Sequence, residues 1–174
     1  WMEAGVIVPW QMYQQYGDVR ILEQHYASMV AYMDYLERRA VRYVQPFGGF
    51  GDWLAIEPTN SMLTNTAYSA YDALIMEQVA KRLGKDADQR RFRTFYENVK
   101  RSFNDLFVNE EGRTFAPTVE SIFGKDSQVG MWPGTAATEA KIVDTQTSYV
   151  VPLQFDLFNE KNKPLAIRHL VENI

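Results

Sequence analysis

Three times along the chain an apolar helical run stops at a short polar corner, and a second run with one apolar face turns back. The corners are Gly17-Asp18, Gly84-Lys85-Asp86 and Asn159-Glu160. Glycine or asparagine at such a point lets the backbone enter the left-handed conformation that ends a helix. The first run, Ala4 to Tyr16, is almost wholly apolar and carries Pro9, which either opens the helix in its first turn or kinks it. Its return spans Val19 to Arg39, with Leu22, Tyr26, Met29, Met33 and Leu36 at three- and four-residue steps and Asp18 as the expected N-cap. The second run, Ser61 to Leu83, sets Ala67, Ser69, Ala70 and Ala73 among large residues. Its return repeats Phe92, Phe95, Val99, Phe103 and Leu106, with Asp86 as cap and Gln89 at the reciprocal capping position. The third is Thr145 to Phe158, followed by a helix from Lys163 to Ile174 with Pro164 in its first turn.

The pattern predicts an all-α fold of three αα-hairpins. The corners lie roughly 70 residues apart, where helical solenoids repeat at about 34 to 47. In each pair the first helix is apolar nearly all round and is expected to be buried on both sides, while the second has one apolar face and shields it. Inner and outer layers of this kind close into an (α/α) toroid, and three hairpins make half of a six-hairpin barrel. A helical solenoid is the competing architecture. The chain begins at Trp1 and stops inside the apolar pattern PLAIRHLVENI, so we read residues 1–174 as part of a single (α/α)6 domain truncated at both ends. Targeting signals would then lie elsewhere, which leaves the compartment open.

Two long loops remain, Val41 to Asn60 and Val108 to Asp144; residues 107–142 read as a variable loop insertion, with room for one short hairpin around Thr114 to Phe123. Loops of this length in a compact domain are usually functional or disordered, and the aromatic and apolar residues inside these favour the first. Three loop ends precede three inner helices, so they should gather at one mouth of the toroid. They carry Trp1-Met2-Glu3, Phe50-Gly51-Asp52-Trp53-Leu54 and Asp144-Thr145-Gln146-Thr147. Two of the three pair a carboxylate with an indole. Sugars need this combination: their C–H faces stack on aromatic rings and their hydroxyls seek carboxylate or amide partners.

Composition narrows the chemistry. No cysteine is present, which removes thiolate metal sites, disulfides and a cysteine nucleophile, and the two histidines, His25 and His169, are far apart in sequence. No metal or cofactor is expected. A net charge of −4 without a basic stripe argues against a nucleic-acid groove, and the short apolar runs cannot span a membrane. Structural roles compete with the functional ones. A tryptophan near a helix start is more often a core anchor than a ligand platform, and Asp52 can serve as a helix or turn cap. Trp10 and His25 read as core, Tyr13, Tyr16, Tyr26 and Tyr32 as core or lining, and Glu110-Glu111 as a solvated turn.

The segments WMEAGVIVPWQMYQQYGD, FGDWL, TAYSAYDALIMEQVAKRLGK and VDTQTSYVVPLQFDL, in this order, resemble successive landmarks of bacterial α-L-rhamnosidases. The resemblance covers nearly the whole chain and implies the six-hairpin glycosidase toroid. It also implies inverting hydrolysis of terminal α-L-rhamnose, with one carboxylic acid protonating the leaving oxygen and one carboxylate activating water, roughly 6.5–9.5 Å apart. In the family the acid lies upstream and the base downstream of the matching segment, so no catalytic residue is expected here. What the resemblance assigns to this piece is a sugar-holding wall, with Trp1, Glu3, Asp52 and Trp53 as substrate-binding residues and a rhamnose-containing carbohydrate as partner. Glu3 stands where many members have Asp, and its extra methylene carries the carboxylate about 1.5 Å further out. Another six-hairpin glycosidase or lyase, or a helical-repeat binding module without turnover, are the rival functions.

Overall fold

A computed structural model describes residues 2–46, 51, 52, 54–124 and 141–173. Three helical hairpins are present: α1 (Ala4–Tyr16) with α2 (Arg20–Arg39), α3 (Ser61–Arg82) with α4 (Asp86–Phe107), and, after a short helix α5 (Val119–Phe123), α6 (Gln146–Gln154) with α7 (Asn162–Glu172). Helix α3 is the hub, packing against α1, α2, α4 and α6. Its alanines at 67, 70, 73 and 80 are fully buried, and their small side chains permit close approach from several sides. Helix α4 buries a single face, Phe92, Phe95, Tyr96, Val99, Phe103 and Phe107. Fully burying one such ring contributes about 1.5–3 kcal/mol. The last core position is Phe107, with Leu106 only half-buried, so the stripe runs one residue past the expected one.

The flanking inner helices differ from expectation. Only Val6 and Pro9 of α1 are buried, and Val8, Met12 and Tyr16 face solvent. In α6, Ser148, Tyr149 and Pro152 are buried and Val150 is exposed. Helix α1 packs mainly against α2 and α3. Burial on both sides is a property of α3, the middle inner helix. His25 and Tyr16 are likewise exposed rather than core, because they lie on the outward faces of α2 and α1.

The corners form largely as expected. Gly17 adopts φ 71° and donates its N–H to the Tyr13 carbonyl at 2.8 Å; Gly84 adopts φ 68°, and the Lys85 N–H reaches the Ala80 carbonyl at 2.8 Å. The third corner uses side-chain amides in place of a left-handed glycine: Asn159 Oδ1 accepts from the Asn162 backbone at 2.8 Å, and Asn104 Oδ1 accepts from the Asn159 backbone at 3.0 Å. The caps shift by one residue. Asp18 precedes the N-cap Val19 and binds Arg20, while Asp86 is the first residue of α4, where its charge favours the helix N-terminus without a capping bond. Helix α6 ends at Gln154, four residues early. Asp156 turns left-handed at φ 52°, which lets Phe155 stack on Tyr71 at 4.2 Å and Phe158 meet Phe103 edge-on at 5.6 Å.

The expected hairpin at Thr114 to Phe123 is replaced by a longer-range pairing. Strand β1 (Phe115–Ala116) pairs antiparallel with β2 (Lys141–Ile142), and Val119–Phe123 is helical, capped by Thr118 Oγ1. Buried Thr114 holds this base of the loop, bonding the Val143 carbonyl and the Ser148 hydroxyl. Gly112, at φ 76°, passes so close to Leu165 of α7 that no Cβ would fit.

Candidate functional site

A cavity of about 570 Å3 opens where the three hairpins meet. Its wall takes Met2 and Glu3 from the entry to α1, Gly51 and Asp52 from the first long loop, and Thr147 from the first turn of α6. The convergence of loop ends at one mouth, expected from the hairpin order, is therefore present. The remaining wall comes from Tyr32, Leu36 and Arg39 of α2 and from Thr64, Asn65 and Tyr68 in the first turns of α3.

Each loop is tied down by bonds that end a helix or satisfy a buried backbone group. Both Asp52 carboxylate oxygens accept from the Thr59 backbone N–H, at 3.1 and 3.0 Å. Thr59 and Thr145 join their hydroxyls at 2.6 Å, and Thr145 Oγ1 also accepts from the Ser148 N–H as the N-cap of α6. Asp52 is thus at once a loop clamp and part of the cavity wall. Asn60 caps α3 by accepting from the Met62 and Leu63 N–H groups. Buried Gln45 donates to the Leu36 carbonyl and, through its backbone, to Thr66 Oγ1, which fastens the loop start to α2 and α3.

The electrostatics of the wall are set by burial. Desolvation first, then the charges of Asp72 and Glu3, raise the Tyr32 hydroxyl far above its ordinary range. Tyr68 is raised for the same reasons, burial first and Glu3 next. Both phenols therefore keep their protons and can donate hydrogen bonds at any working pH. Arg39 supplies a cation at the rim, its guanidinium donating to the Tyr35 hydroxyl at 2.7 Å.

Of the residues singled out in the sequence, Glu3 and Asp52 line the cavity; Trp1 and Trp53 lie outside the described residues. Gln146 turns away and donates to the Asn173 carbonyl at 3.0 Å. Asp144 is taken up by Arg113 and the Tyr149 hydroxyl, whose pKa burial and this carboxylate push up to about 12. Trp10 packs beside Tyr13 as half-buried core, centroids 5.6 Å apart. Sequence reasoning missed Tyr68, Arg39, Thr64 and Asn65 as wall residues. Their i, i+3, i+4 spacing was visible, but it merges with the core stripe of the same helices. No cluster of three or more metal-ligating side chains occurs among the described residues, and no described helix is long and apolar enough to cross a membrane.

The whole chain, residues 1–174, matches the family described as the bacterial alpha-L-rhamnosidase 6 hairpin glycosidase domain. The chain belongs to this family. An alpha-L-rhamnosidase of Streptomyces avermitilis is 34% identical over 172 residues, 98% of this chain and 14% of the relative; one of Formosa agariphila is 29% identical over 182 residues, 100% of this chain and 17% of the relative. The chain thus spans less than a fifth of the length of these curated relatives. The crystal structure of Streptomyces avermitilis alpha-L-rhamnosidase complexed with L-rhamnose superposes with a TM-score of 0.77 at 28% identity, over 99% of this chain and 14% of that one. The alpha-L-rhamnosidase structure from Dictyoglumus thermophilum gives 0.77 at 27%, over 100% and 18%. The three hairpins accordingly share the six-hairpin glycosidase fold.

Proposed function

We propose that this chain forms the sugar-holding wall in the catalytic domain of an inverting α-L-rhamnosidase. The observation that carries the reading is the meeting of Glu3, Asp52 and Thr147, from three separate loop ends, on one cavity in a rhamnosidase-family domain. Polar groups from several elements, Asp52 among them held by the Thr59 backbone, suit a ligand with hydroxyls on every side. Apolar Met2, Ile7 and Val151 offer surface to a ring C–H face and a methyl group. Trp1 and Trp53 adjoin wall residues in the sequence and are assigned to the same stacking role. A relative bound to L-rhamnose supports the choice of sugar.

In this reading the wall supplies no proton transfer. The general acid and the water-activating base come from segments before and after it, and its own task is to hold the ring while charge develops at the anomeric carbon. Tyr32 and Tyr68 donate; Asp52, held by Thr59, and Glu3 accept. The test uses the full-length protein with an aryl α-L-rhamnoside. Proton NMR of the first-formed sugar should show inverted anomeric configuration. Asp52→Asn should cut kcat/KM by about a hundredfold with little change in melting temperature, since the amide can still occupy the clamp but carries no charge. A melting temperature depressed by many degrees with kcat/KM preserved would leave Asp52 as a loop clamp alone and remove the sugar assignment.

A further inference from the structure

Gln45 joins the start of the first long loop to α2 and α3, and it is 2% exposed. It lines the cavity, as do its bonded neighbour Leu36 and the next residue, Pro46. Its backbone N–H donates to Thr66 Oγ1 at 3.0 Å, and its Nε2 donates to the Leu36 carbonyl at 3.0 Å. Only the nitrogen of the amide can face that carbonyl, so the side chain is fixed one way round and Oε1 is left as an acceptor. This oxygen is buried and has no hydrogen-bond partner. The Leu36 carbonyl already accepts from the Ala40 N–H at 3.1 Å, so the end of α2 is satisfied without Gln45. Methionine would fill the same space, leave no helix group unpaired and bury no orphan oxygen. The turn before it is strained as well. Arg42 and Tyr43, at φ 52° and 62°, are successive left-handed residues without glycine's freedom, closed by Val41–Val44 backbone bonds of 3.1 and 2.9 Å. An orphan acceptor behind a strained turn, on a cavity-lining residue, breaks local rules in the way that functional sites do.

We propose that Gln45 is a specificity-determining residue of this cavity: its Oε1 accepts a hydrogen bond from one hydroxyl of the bound sugar. The ligand must supply the proton, because an amide oxygen only accepts. A hydroxyl does so; an ether oxygen or an ionised carboxylate does not. Without ligand this oxygen is shut off from water, so the bond forms as the entering ring parts the side chains over it. The acceptor then has no water to give up, and pairing it removes a penalty already present in the fold. An analogue lacking that hydroxyl leaves the oxygen unpaired and loses the whole gain. The bond to Leu36 keeps the amide from turning to offer its NH2 in place of the oxygen. Unlike Asp52, Gln45 carries no charge, so its contribution does not change with pH.

The proposal rests on the sugar-wall reading, and its test separates the two. In the full-length protein, kcat/KM is measured on an aryl α-L-rhamnoside and on its three monodeoxy analogues, each lacking one ring hydroxyl, for wild type and Gln45→Met. One analogue should lose about tenfold more in wild type than in Gln45→Met, the scale of one hydrogen bond, and the other two should lose equally in both. The intrinsic reactivity of each analogue cancels in that comparison. Gln45→Met should melt at or above the wild-type temperature, because no buried group loses its partner. A second measurement needs no variant. Wild type carrying carbon-13 glutamine should show an amide carbonyl band moving to lower frequency when L-rhamnose is added, the mark of a new hydrogen bond. Equal discrimination in the two proteins, a melting temperature lowered by many degrees with discrimination intact, or no carbonyl shift with L-rhamnose would each overturn the proposal. Turnover of the rhamnoside without this pattern overturns the role of Gln45 alone. Wild type that neither cleaves the rhamnoside nor binds L-rhamnose overturns the sugar reading, and this proposal with it.

Discussion

Helices α1 and α3 look alike as sequences and are treated differently by the fold. Both open a hairpin, both are apolar over most of their length, and both were expected to be enclosed. Helix α3 is enclosed: Met62, Leu63, Ala67, Ala70, Met76 and Val79 are all at 0% exposure, under cover from α1, α2, α4 and α6. Helix α1 leaves Val8 at 53%, Met12 at 41% and Tyr16 at 71%. Apolar content states that a surface gains from being covered, roughly in proportion to its area. It does not say which neighbour covers it. That depends on tertiary packing: among the described helices α3 touches α1, α2, α4 and α6, while α1 packs mainly on α2 and α3.

Substitutions measure the contrast, beginning with the largest effect. Phe103→Ala, which empties a site against Phe107 and Phe158 beside α3, should cost about 3–5 kcal/mol in chemical denaturation. A loss under about 1 kcal/mol would mean that the middle hairpin is not the packed centre. Gly112→Ala sharpens the picture at the other flank. It combines a left-handed backbone with a direct clash on Leu165, and should cost about 2–4 kcal/mol and loosen α7 in hydrogen exchange. The ion pairs of Asp156 come next. Its carboxylate meets Lys100 of α4 and Lys163 of α7, each at 2.9 Å, and the bonds to Lys163 and then Lys100 hold its pKa below the ordinary value. A depressed carboxylate pKa contributes stability above the unfolded value near 3.9, and that contribution is lost as pH falls through the folded value. Asp156→Asn tolerates the same left-handed backbone, so it should cost about 0.2–1 kcal/mol at pH 7 and almost nothing in strong acid, read from melts across pH. The smallest effect belongs to α1. Met12→Ala in the isolated chain should stay within about 0.5 kcal/mol, as at other open surface positions, and a core-sized loss would show that this flank is covered after all.

The hairpin plan, the glycine corners and the gathering of three loop ends at one mouth were legible in the chain because they depend on local physics. Helical periodicity, a left-handed glycine and a tight return need only neighbours in sequence, and they placed Glu3 and Asp52 on the cavity wall correctly. Long-range decisions were not legible. The pairing of Phe115 with Ile142, the partnering of Asp144 with Arg113 and Tyr149, and the turning of Gln146 toward Asn173 each join residues from different elements. Tyr68 and Asp72 show the limit most plainly. Both lie on one stripe of one helix and read alike as interior positions, yet one lines the cavity and the other is sealed beneath it. The sequence by itself determined which elements form and where the chain turns, since those free energies are local. Only the tertiary structure decided which apolar faces are covered and which carboxylates meet backbone, cation or cavity, because those energies depend on distance and desolvation between segments far apart in the chain.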